Sequence, residues 1–484
     1  MKVLFISPPA RDMLFPTLGI AYITALLNRE GHEAVIKEGL NRSFEELVMA
    51  VGEVKPEIIG ITMNTTTRFE CLKMAEEIKK RYHLPIILGG PHPTLMTDQI
   101  LRNYPFIDYI VKNEGEYACL NLINALEKAK KKGIDEKELG GELKKVRGIS
   151  YRKGKEIFHN EKAEPIMDLD SLPYPEYKFF NLKNYSKNPE HPKELLDYPV
   201  GSIITSRGCP YQCTFCSSSD FWGHRIRFRK AECVVDEMEH LYSKYNTKYI
   251  VFNDDNFTAD RKRAIDICKL IIKKGLHKKI KWLCRAEVNI VTQELLMWLK
   301  KAGCHLIEYG VEDVSPEGVK FFKKAHTLKQ LFDAFKLTHE AGLEIRSYVI
   351  VGGDHETQEN IAYKRKIIEQ LNPTITTASL LLAYPGTEIY ENGKKRGWWN
   401  DSIWLAPCIG KKFHNNVPIY PSKNMSLAEL FSAAADINYW WNNKKGNINL
   451  RNMTNTFLEL LKRRDFSKIF HMGKSVVMRK MRGE

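Results

Sequence analysis

The sequence predicts an α/β protein made of two parallel-sheet units and a small, mainly helical C-terminal region. Five short apolar segments alternate with helical patterns in the first third, and six more do so after residue 196. A chain of 484 residues is also long enough for about three domains. Apolar runs are broken well before the ~18 residues that a membrane span needs, so no transmembrane helix is expected.

The first unit is predicted to be a doubly wound, flavodoxin-like sheet, because strand and helix patterns alternate regularly. Ligands of such sheets bind outside the carboxyl ends of the strands, where this chain has small, polar and glycine-bearing loops. No Gly-x-Gly-x-x-Gly follows the first strand, which argues against a dinucleotide site. The predicted strands are Val3–Ile6, Ala34–Ile36, Ile58–Thr62, Pro85–Leu88 and Tyr109–Val111.

This first third resembles the cobalamin-binding domain of many radical S-adenosylmethionine enzymes, through Pro8-Pro9, Phe15–Ile20, Gly89–His92 and Glu114–Glu116. The cobalamin contacts that the resemblance implies are Pro9, Leu18, Gly19, Thr62, Thr65, Gly89, Gly90, Pro91, His92, Glu114, Gly115 and Glu116.

One feature of other cobalamin proteins is missing from the sequence. The loop after the first strand, residues 7–18, contains no histidine, and no Asp-x-His-x-x-Gly motif follows it. The resemblance therefore implies cobalamin without a histidine ligand from this loop. His92 remains a spare candidate for contact, with a histidine bonded to backbone as the alternative.

A cysteine loop gives the strongest functional signal. Cys209, Cys213 and Cys216 follow the apolar segment Ser202–Thr205 with Cys-x-x-x-Cys-x-x-Cys spacing. Three thiolates leave one metal position open, whereas a structural zinc site or an ordinary four-iron cluster takes four protein ligands. The alternative is a zinc site completed by Cys233 or His224, but zinc ligands usually come as two separated Cys-x-x-Cys pairs. The remaining cysteines, including Cys408, are expected to be mostly small buried side chains.

The cysteine loop resembles the radical S-adenosylmethionine signature, with Phe215 as the aromatic residue before the last cysteine. The resemblance implies a [4Fe–4S] cluster on the three cysteines, with S-adenosylmethionine chelated by the fourth iron. Reductive cleavage of this sulfonium gives methionine and a 5′-deoxyadenosyl radical that abstracts hydrogen from the substrate.

Six strand–helix units, the first of them ending at the cysteine loop, predict a partial (β/α)6 TIM-like barrel with its site at the carboxyl ends of the strands. At those ends the resemblance implies S-adenosylmethionine contacts from Phe215, Asp254, Asp255, Arg285 and Glu312. A helix N-cap is the alternative role for Asp255, or for Asp260. The later strands are predicted at Lys248–Phe252, Ile280–Cys284, His305–Gly310, Ile345–Val351 and Thr374–Leu382.

The predicted domains are a cobalamin-binding domain over 1–135, a connector with a β-hairpin over 136–195, the barrel over 196–394, and an aromatic, basic cap and tail over 395–484. The net charge is +15, yet residues 1–130 carry 15 basic and 16 acidic side chains. Residues 462–484 carry eight basic and two acidic side chains, which suits a peripheral membrane contact or simply a solvated helix.

The resemblances favour a cytoplasmic, cobalamin-dependent radical enzyme that methylates an unactivated carbon of a small, lipid-like or tetrapyrrole substrate, with flavodoxin or ferredoxin as electron donor. The alternative is a radical ring-forming or oxidative enzyme, because Ser219–Trp222 is similar to the anaerobic magnesium-protoporphyrin monomethyl ester cyclase group. A third hypothesis is a cobalamin sensor or nucleic-acid binder. The intact cysteine loop and the lack of a recognisable RNA motif argue against it.

Overall fold

The computed structural model describes residues 1–9, 15–133, 135–187, 198–405 and 417–445. Its first sheet has the strand order β2-β1-β3-β4-β5-β6-β7. Strands β1 to β5 run parallel, and β6 and β7 are added antiparallel as a hairpin. These strands are β1 (Lys2–Ile6), β2 (Glu33–Lys37), β3 (Ile58–Thr62), β4 (Ile86–Gly89), β5 (Tyr109–Val111), β6 (Ile149–Lys153) and β7 (Glu156–His159).

Helices cover both faces of this sheet because successive strand side chains point to opposite faces. Val3 and Phe5 of β1 belong to one buried cluster, whereas Leu4 and Ile6 belong to another. The helices Leu18–Arg29 and Gly115–Lys132 contribute to the first cluster, and the helices Phe44–Val54, Arg68–Tyr82 and Thr97–Asn103 contribute to the second. The helices of this unit are α1 (Leu18–Arg29), α2 (Phe44–Val54), α3 (Arg68–Tyr82), α4 (Pro91–Leu95), α5 (Thr97–Asn103), α6 (Gly115–Lys132) and α7 (Glu136–Lys144).

The second sheet has six parallel strands in the order β15-β14-β13-β12-β11-β8. A separate two-stranded ribbon, β9 with β10, follows the first of them. The strands are β8 (Val200–Ile203), β9 (Ser206–Arg207), β10 (Arg227–Phe228), β11 (Tyr249–Phe252), β12 (Lys281–Ala286), β13 (Cys304–Glu312), β14 (Glu344–Val351) and β15 (Ile375–Leu380).

Helices connect these strands in the regular βα sequence of a barrel. Asp260 caps the helix after β11 by accepting a hydrogen bond from the Arg263 backbone N–H at 3.0 Å, so the N-cap alternative is confirmed for Asp260. The helices are α8 (Ser218–Trp222), α9 (Ala231–Tyr245), α10 (Arg261–Lys273), α11 (Gln293–Lys301), α12 (Pro316–Phe321), α13 (Leu328–Glu340), α14 (Gln358–Leu371), α15 (Glu388–Lys395) and α16 (Leu427–Lys444).

The predicted fold class is confirmed: a doubly wound sheet in flavodoxin order precedes a six-stranded partial barrel, and the described C-terminal part contains the long helix α16. The β-hairpin predicted in the connector is present as β6 and β7, and it completes the first sheet. The four domain boundaries stay predictions. Cys408 and the basic segment 462–484 lie outside the described residues. Among the described helices, none has the length and apolar character needed to cross a bilayer.

Candidate active site at the cluster loop

The cluster loop, residues 208–217, leaves β9 at a sharp turn that only glycine can adopt. Gly208 has φ +99°, and a Cβ there would lie 2.5 Å from the Arg225 carbonyl oxygen. Farther along, the Thr214 backbone N–H donates to the Phe322 carbonyl at 3.2 Å, and its hydroxyl donates to the Phe321 carbonyl at 3.1 Å. The loop is therefore fixed to the barrel at its start and in its middle.

The three loop cysteines differ in exposure, and none of them is fully buried. Cys209 and Cys213 are half-buried and Cys216 is exposed. Zinc with Zn–S bonds of ~2.3 Å would hold tetrahedral sulfurs about 3.8 Å apart. Among the described residues, the group that places three ligand atoms within 4.8 Å of one another is Asp313, His355 and Glu356, not the cysteines. Cys216 acts electrostatically on both Cys209 and Cys213, so the three thiols lie near one another on the loop.

Burial raises the thiol pKa of all three cysteines, to about 11 for Cys209 and about 12 for Cys213. The Asp255 carboxylate adds to the effect at Cys209 and Cys216, which shows that Asp255 lies beside the loop. Metal ligation needs thiolates, so cluster assembly releases protons here.

The predicted S-adenosylmethionine residues separate into different environments. Phe215 packs edge-on against Phe322 with ring centroids 5.5 Å apart, behind the loop. Asp255 accepts a short hydrogen bond from the Ser218 hydroxyl. Arg285 donates to Asn253 at 3.0 Å and to Glu308 at 3.2 Å. Asp255 and Arg285 thus remain available beside the cluster loop, although Arg285 is partly occupied by barrel side chains.

Asp254 does not face the open site. Its side chain is buried, and it accepts hydrogen bonds from the Thr205 backbone N–H at 2.6 Å and from the hydroxyls of Thr205 and Ser206. Its position at the end of β11 suggested a ligand contact. The carboxylate instead binds Thr205 and Ser206, which directly follow β8. In this structure Asp254 therefore orients the chain that enters the cluster loop, and its contact with S-adenosylmethionine stays a prediction.

Glu312 lies at the end of β13 in a left-handed conformation, with φ +55°. Burial raises its pKa to about 7, and the nearby Lys324 ammonium opposes the shift. The Lys324 ammonium is paired with Glu287 at 2.9 Å, and its side chain is only 3% exposed. Glu312 and Lys324 both act electrostatically on Cys213, so they lie on the cluster side of the barrel.

A buried ion network lies behind the cluster loop. The Lys364 ammonium contacts Asp313 at 2.7 Å and Glu356 at 2.5 Å, and Asp313 accepts from the His355 imidazole at 2.9 Å. Since Lys364 supplies the cation that these carboxylates need, the group is a structural ion pair. Glu356 also accepts from the Gly352 backbone N–H, so it holds the glycine turn after β14.

A cavity of about 280 Å³ lies between the first sheet and the cluster loop. Its lining includes Ser217, next to the last cluster cysteine, together with residues that follow β3, β4 and β15. Of the predicted cobalamin residues, Thr65 and Pro91 line it. Gly19, at the start of α1, has open space where a side chain would extend. The full lining is Asn64, Thr65, Thr66, Pro91, Leu95, Ser217, Tyr384 and Pro385.

The other predicted cobalamin residues are not part of the cavity lining and differ in exposure. Leu18 is buried in the core, and Pro9, Thr62 and Gly89 are half-buried. Gly90 has φ +102°, and a Cβ there would lie 2.5 Å from the Met63 carbonyl oxygen, so this glycine permits chain packing. A Cβ on Gly115 would lie 3.1 Å from side-chain atoms of Ile23 and Val111.

Three of the predicted cobalamin residues have side chains that are buried and held by other residues of the protein. His92 is 1% exposed, and its Nδ1 lies 3.2 Å from the Thr65 hydroxyl. Glu114 and Glu116 are also buried, and both pair with Arg207. These side chains are already engaged within the protein, so they are not free to contact a ligand in the crevice.

Sequence reasoning missed Tyr384, Pro385 and Glu308. Tyr384 and Pro385 follow the last barrel strand, and their position after a predicted strand was a usable signal. Glu308 is buried within β13, where it accepts hydrogen bonds from Arg346 and Tyr348 at 3.0 Å. A strand pattern shows which side of the sheet such a residue faces. It does not show that the Glu308 carboxylate binds side chains on both neighbouring strands, β12 and β14.

Comparison with known proteins agrees with this geometry. The Radical SAM superfamily matches residues 203–363, and the B12 binding domain matches residues 11–123. An uncharacterized methyltransferase of Pyrococcus horikoshii is 32% identical over 402 residues, covering 81% of this chain and 83% of that protein. The anaerobic magnesium-protoporphyrin IX monomethyl ester cyclase of Cereibacter sphaeroides is 30% identical, with 81% of this chain and 63% of that protein covered.

Among solved structures, the radical S-adenosylmethionine methyltransferase TsrM of Kitasatospora setae, with cobalamin and a [4Fe–4S] cluster bound, has a TM-score of 0.71. The match covers 90% of each chain at 19% identity, so it shows a shared fold. The predicted family and its three cofactors are confirmed. The chain belongs to the radical S-adenosylmethionine enzymes with an amino-terminal cobalamin-binding domain, which work with a [4Fe–4S] cluster, S-adenosylmethionine and cobalamin.

Proposed function

We propose that the protein methylates an unactivated carbon of a small molecule. The observation that carries this proposal is the shared cavity, where Ser217 of the cluster loop lies opposite Asn64 and Thr65 of the cobalamin-binding unit. A methyl carrier and a radical source can act on one substrate only if both border the same space. The methyltransferase from Pyrococcus horikoshii supports the same reaction class.

The reaction balances without further co-reactants except an electron donor. One substrate C–H, two S-adenosylmethionine molecules and two electrons give the C–CH₃ product, S-adenosylhomocysteine, methionine and 5′-deoxyadenosine. The cofactors supply methyl transfer and hydrogen abstraction when bound, and the protein supplies their placement and the exclusion of water. A flavodoxin or ferredoxin is the proposed source of the electrons, and the cytoplasm is the proposed location.

In this proposal Cys209, Cys213 and Cys216 hold the cluster. Phe215 packs behind the cluster loop against Phe322. Asp255, Arg285 and Glu312 contact S-adenosylmethionine, because Asp255 and Glu312 already act electrostatically on the cluster cysteines. Cobalamin is proposed to contact Pro9, Leu18, Gly19, Thr62, Thr65, Gly89 and Pro91.

The cavity supports a partly apolar substrate. Leu95, Pro385 and the Tyr384 ring give it apolar walls, and Asn64 with Ser217 gives it polar groups. A lipid-like or tetrapyrrole molecule has this mixed character. The basic segment 462–484 would then serve as a peripheral membrane contact for a lipid-like substrate.

The second candidate function is a radical ring closure or oxidation. Its support is the 30% identity to the magnesium-protoporphyrin cyclase of Cereibacter sphaeroides. Such a reaction would consume S-adenosylmethionine as a radical source without keeping its methyl group in the product.

Anaerobic reconstitution with iron, sulfide and cobalamin, followed by incubation with methyl-labelled S-adenosylmethionine and a reductant, tests the proposal. We expect 5′-deoxyadenosine, S-adenosylhomocysteine and label on cobalamin, and label retained in product once a substrate is supplied. Cys213→Ala should abolish 5′-deoxyadenosine, whereas Cys233→Ala, a half-buried cysteine outside the cluster loop, should not. Formation of 5′-deoxyadenosine without S-adenosylhomocysteine would overturn methyl transfer and favour the ring-closure alternative.

A further inference from the structure

The loop that follows β5, Asn113–Glu116, contacts the chain on both sides of the cluster loop. This loop belongs to the cobalamin-binding unit, whereas the cluster loop belongs to the barrel. We call these contacts the interdomain clasp. They are not part of the cavity lining, and the proposed function does not use them.

The upstream contact is made by Arg207, two residues before Cys209. Its guanidinium donates to Glu114 at 3.0 Å and to Glu116 at 2.6 Å. Arg227, on the paired strand β10, also donates to Glu114, at 2.6 and 2.8 Å. All four side chains are at most 5% exposed. Two carboxylates thus face two guanidinium groups in a water-excluded contact.

The downstream contact is made by Asn113. Its side-chain amide donates to the carbonyls of Phe221 at 2.9 Å and Asp220 at 3.3 Å, at the end of the helix that follows Cys216. The Asn113 backbone has φ +56°, in the left-handed region. The Arg207 guanidinium also lies 5.1 Å from the Trp222 ring, which connects the two contacts.

Buried charge pairs of this kind hold geometry well, because removing one partner leaves an unpaired charge in a water-excluded environment. The 113–116 loop therefore cannot shift against the cluster loop without breaking the buried ion pairs of Arg207 and Arg227 or the two hydrogen bonds of Asn113. Because the 113–116 loop is attached at two points, it also resists rotation against the cluster loop, which a single ion pair would allow.

We propose that the interdomain clasp sets the position of the cobalamin-binding unit relative to the cluster, and that Asn113, Glu114, Glu116 and Arg207 are positioning residues for methyl transfer between them. This inference rests on the proposed function. Reductive cleavage of S-adenosylmethionine needs only groups of the barrel. Transfer of its methyl group to cobalamin needs groups from both the barrel and the cobalamin-binding unit, held at the right distance from each other. Loosening the clasp should therefore slow methyl transfer to cobalamin more than it slows reductive cleavage.

Two variants test this without opening the core. Asn113→Gly keeps the positive φ and removes both side-chain bonds to the helix end. Glu116→Gln weakens its single contact with Arg207. Asn246→Gly is the matched control, since Asn246 also has φ +54° but ends α9, away from the cluster loop. Three measurements are compared: 5′-deoxyadenosine formation, transfer of labelled methyl to cobalamin, and amide hydrogen exchange over residues 208–222 in the cofactor-free protein.

We expect methyl transfer to cobalamin to fall about tenfold or more in Asn113→Gly and Glu116→Gln, corresponding to roughly 1.4 kcal/mol of lost positioning. Formation of 5′-deoxyadenosine should stay within about twofold of wild type. Exchange over residues 208–222 should accelerate in both variants and not in Asn246→Gly.

Equal losses in both reactions, or no change in either, would overturn the inference. If the wild-type protein moves no label to cobalamin, the proposed function fails on its own. The clasp is then judged by hydrogen exchange in the cofactor-free protein, where unchanged exchange over 208–222 overturns it and faster exchange supports it.

Discussion

Among single residues, Glu38 carries a buried carboxyl group just after β2, where it is 6% exposed. Burial raises its pKa to about 8, and Arg42 opposes this shift. The unfolded chain has the lower pKa, near 4.5, so between about pH 4.5 and 8 the folded state holds a proton that the unfolded state has lost. The stabilisation is complete below pH 4.5 and is lost as the pH rises through 8.

We therefore predict that the wild-type protein loses ~4 kcal/mol of unfolding free energy relative to Glu38→Gln between pH 5 and pH 9, because glutamine carries no ionisable group. Urea unfolding of the cofactor-free proteins at the two pH values measures the difference. Glu33→Gln, which changes an exposed carboxylate on β2, is the control. A pH dependence that Glu38→Gln shares with wild type would contradict the prediction.

The roles of single polar residues were the least predictable part of the site. The cysteine spacing identified the loop that carries the cluster ligands, because three cysteines so close in sequence lie on one loop. Glu114 and Asp254 also follow strands, but the strand pattern does not determine which way a side chain turns. Glu114 meets Arg207 and Arg227, about 100 residues later in the chain, and such distant pairs leave no local sequence signal.

Among the elements, the turn between β4 and α4 depends most on its sequence. Gly90 has φ +102° and ψ −177°, a region that essentially only glycine occupies. A Cβ at this position would also lie 2.5 Å from the Met63 carbonyl oxygen, at the end of β3. The turn thus sets the spacing of the two loops that carry Thr65 and Pro91 into the cavity.

Gly90→Ala should destabilise the first unit by about 3 kcal/mol, from backbone strain and contact with the β3 end, and should weaken cobalamin binding about tenfold. Equilibrium binding of hydroxocobalamin, followed by its visible spectrum, and thermal unfolding measure the two effects. Gly31→Ala is the matched control, since Gly31 has φ +88° but no atom within 4 Å of the added Cβ. The same loss of cobalamin affinity in both variants would assign the effect to backbone strain alone.

The regular elements themselves were predicted well. Apolar strand patterns located β1 to β5 and the six barrel strands, because the inner strands are buried on both faces and the edge strands β2 and β15 alternate in burial. The ribbon β9–β10 was missed, since two residues per strand are too few to show alternation. Its effect is large nevertheless, because it carries Arg207 and Arg227 to the interdomain clasp.

In the whole molecule, a partial barrel leaves an open edge at β15, and α16 covers it. Asn438 donates to the Ala378 carbonyl and accepts from the Ala378 N–H, both at 2.7 Å. Asn442, one turn later, makes the same pair of bonds with Thr376, at 2.9 and 3.2 Å. Two side-chain amides thus take the place of a neighbouring strand. An uncovered edge of this kind is a template for pairing with another chain.

Asn438→Ala and Asn442→Ala should each lower the unfolding free energy by ~2 kcal/mol, because each leaves one backbone N–H and one carbonyl of β15 without a partner. The double variant should also aggregate faster than wild type, since a free β15 edge can pair with a second copy. Urea unfolding and static light scattering during heating measure these effects. Asn443→Ala, an exposed position on the same helix, controls for helix propensity. If Asn438→Ala unfolds and scatters light as Asn443→Ala does, α16 covers the barrel edge by apolar packing alone, and the amide pairs contribute nothing to its closure.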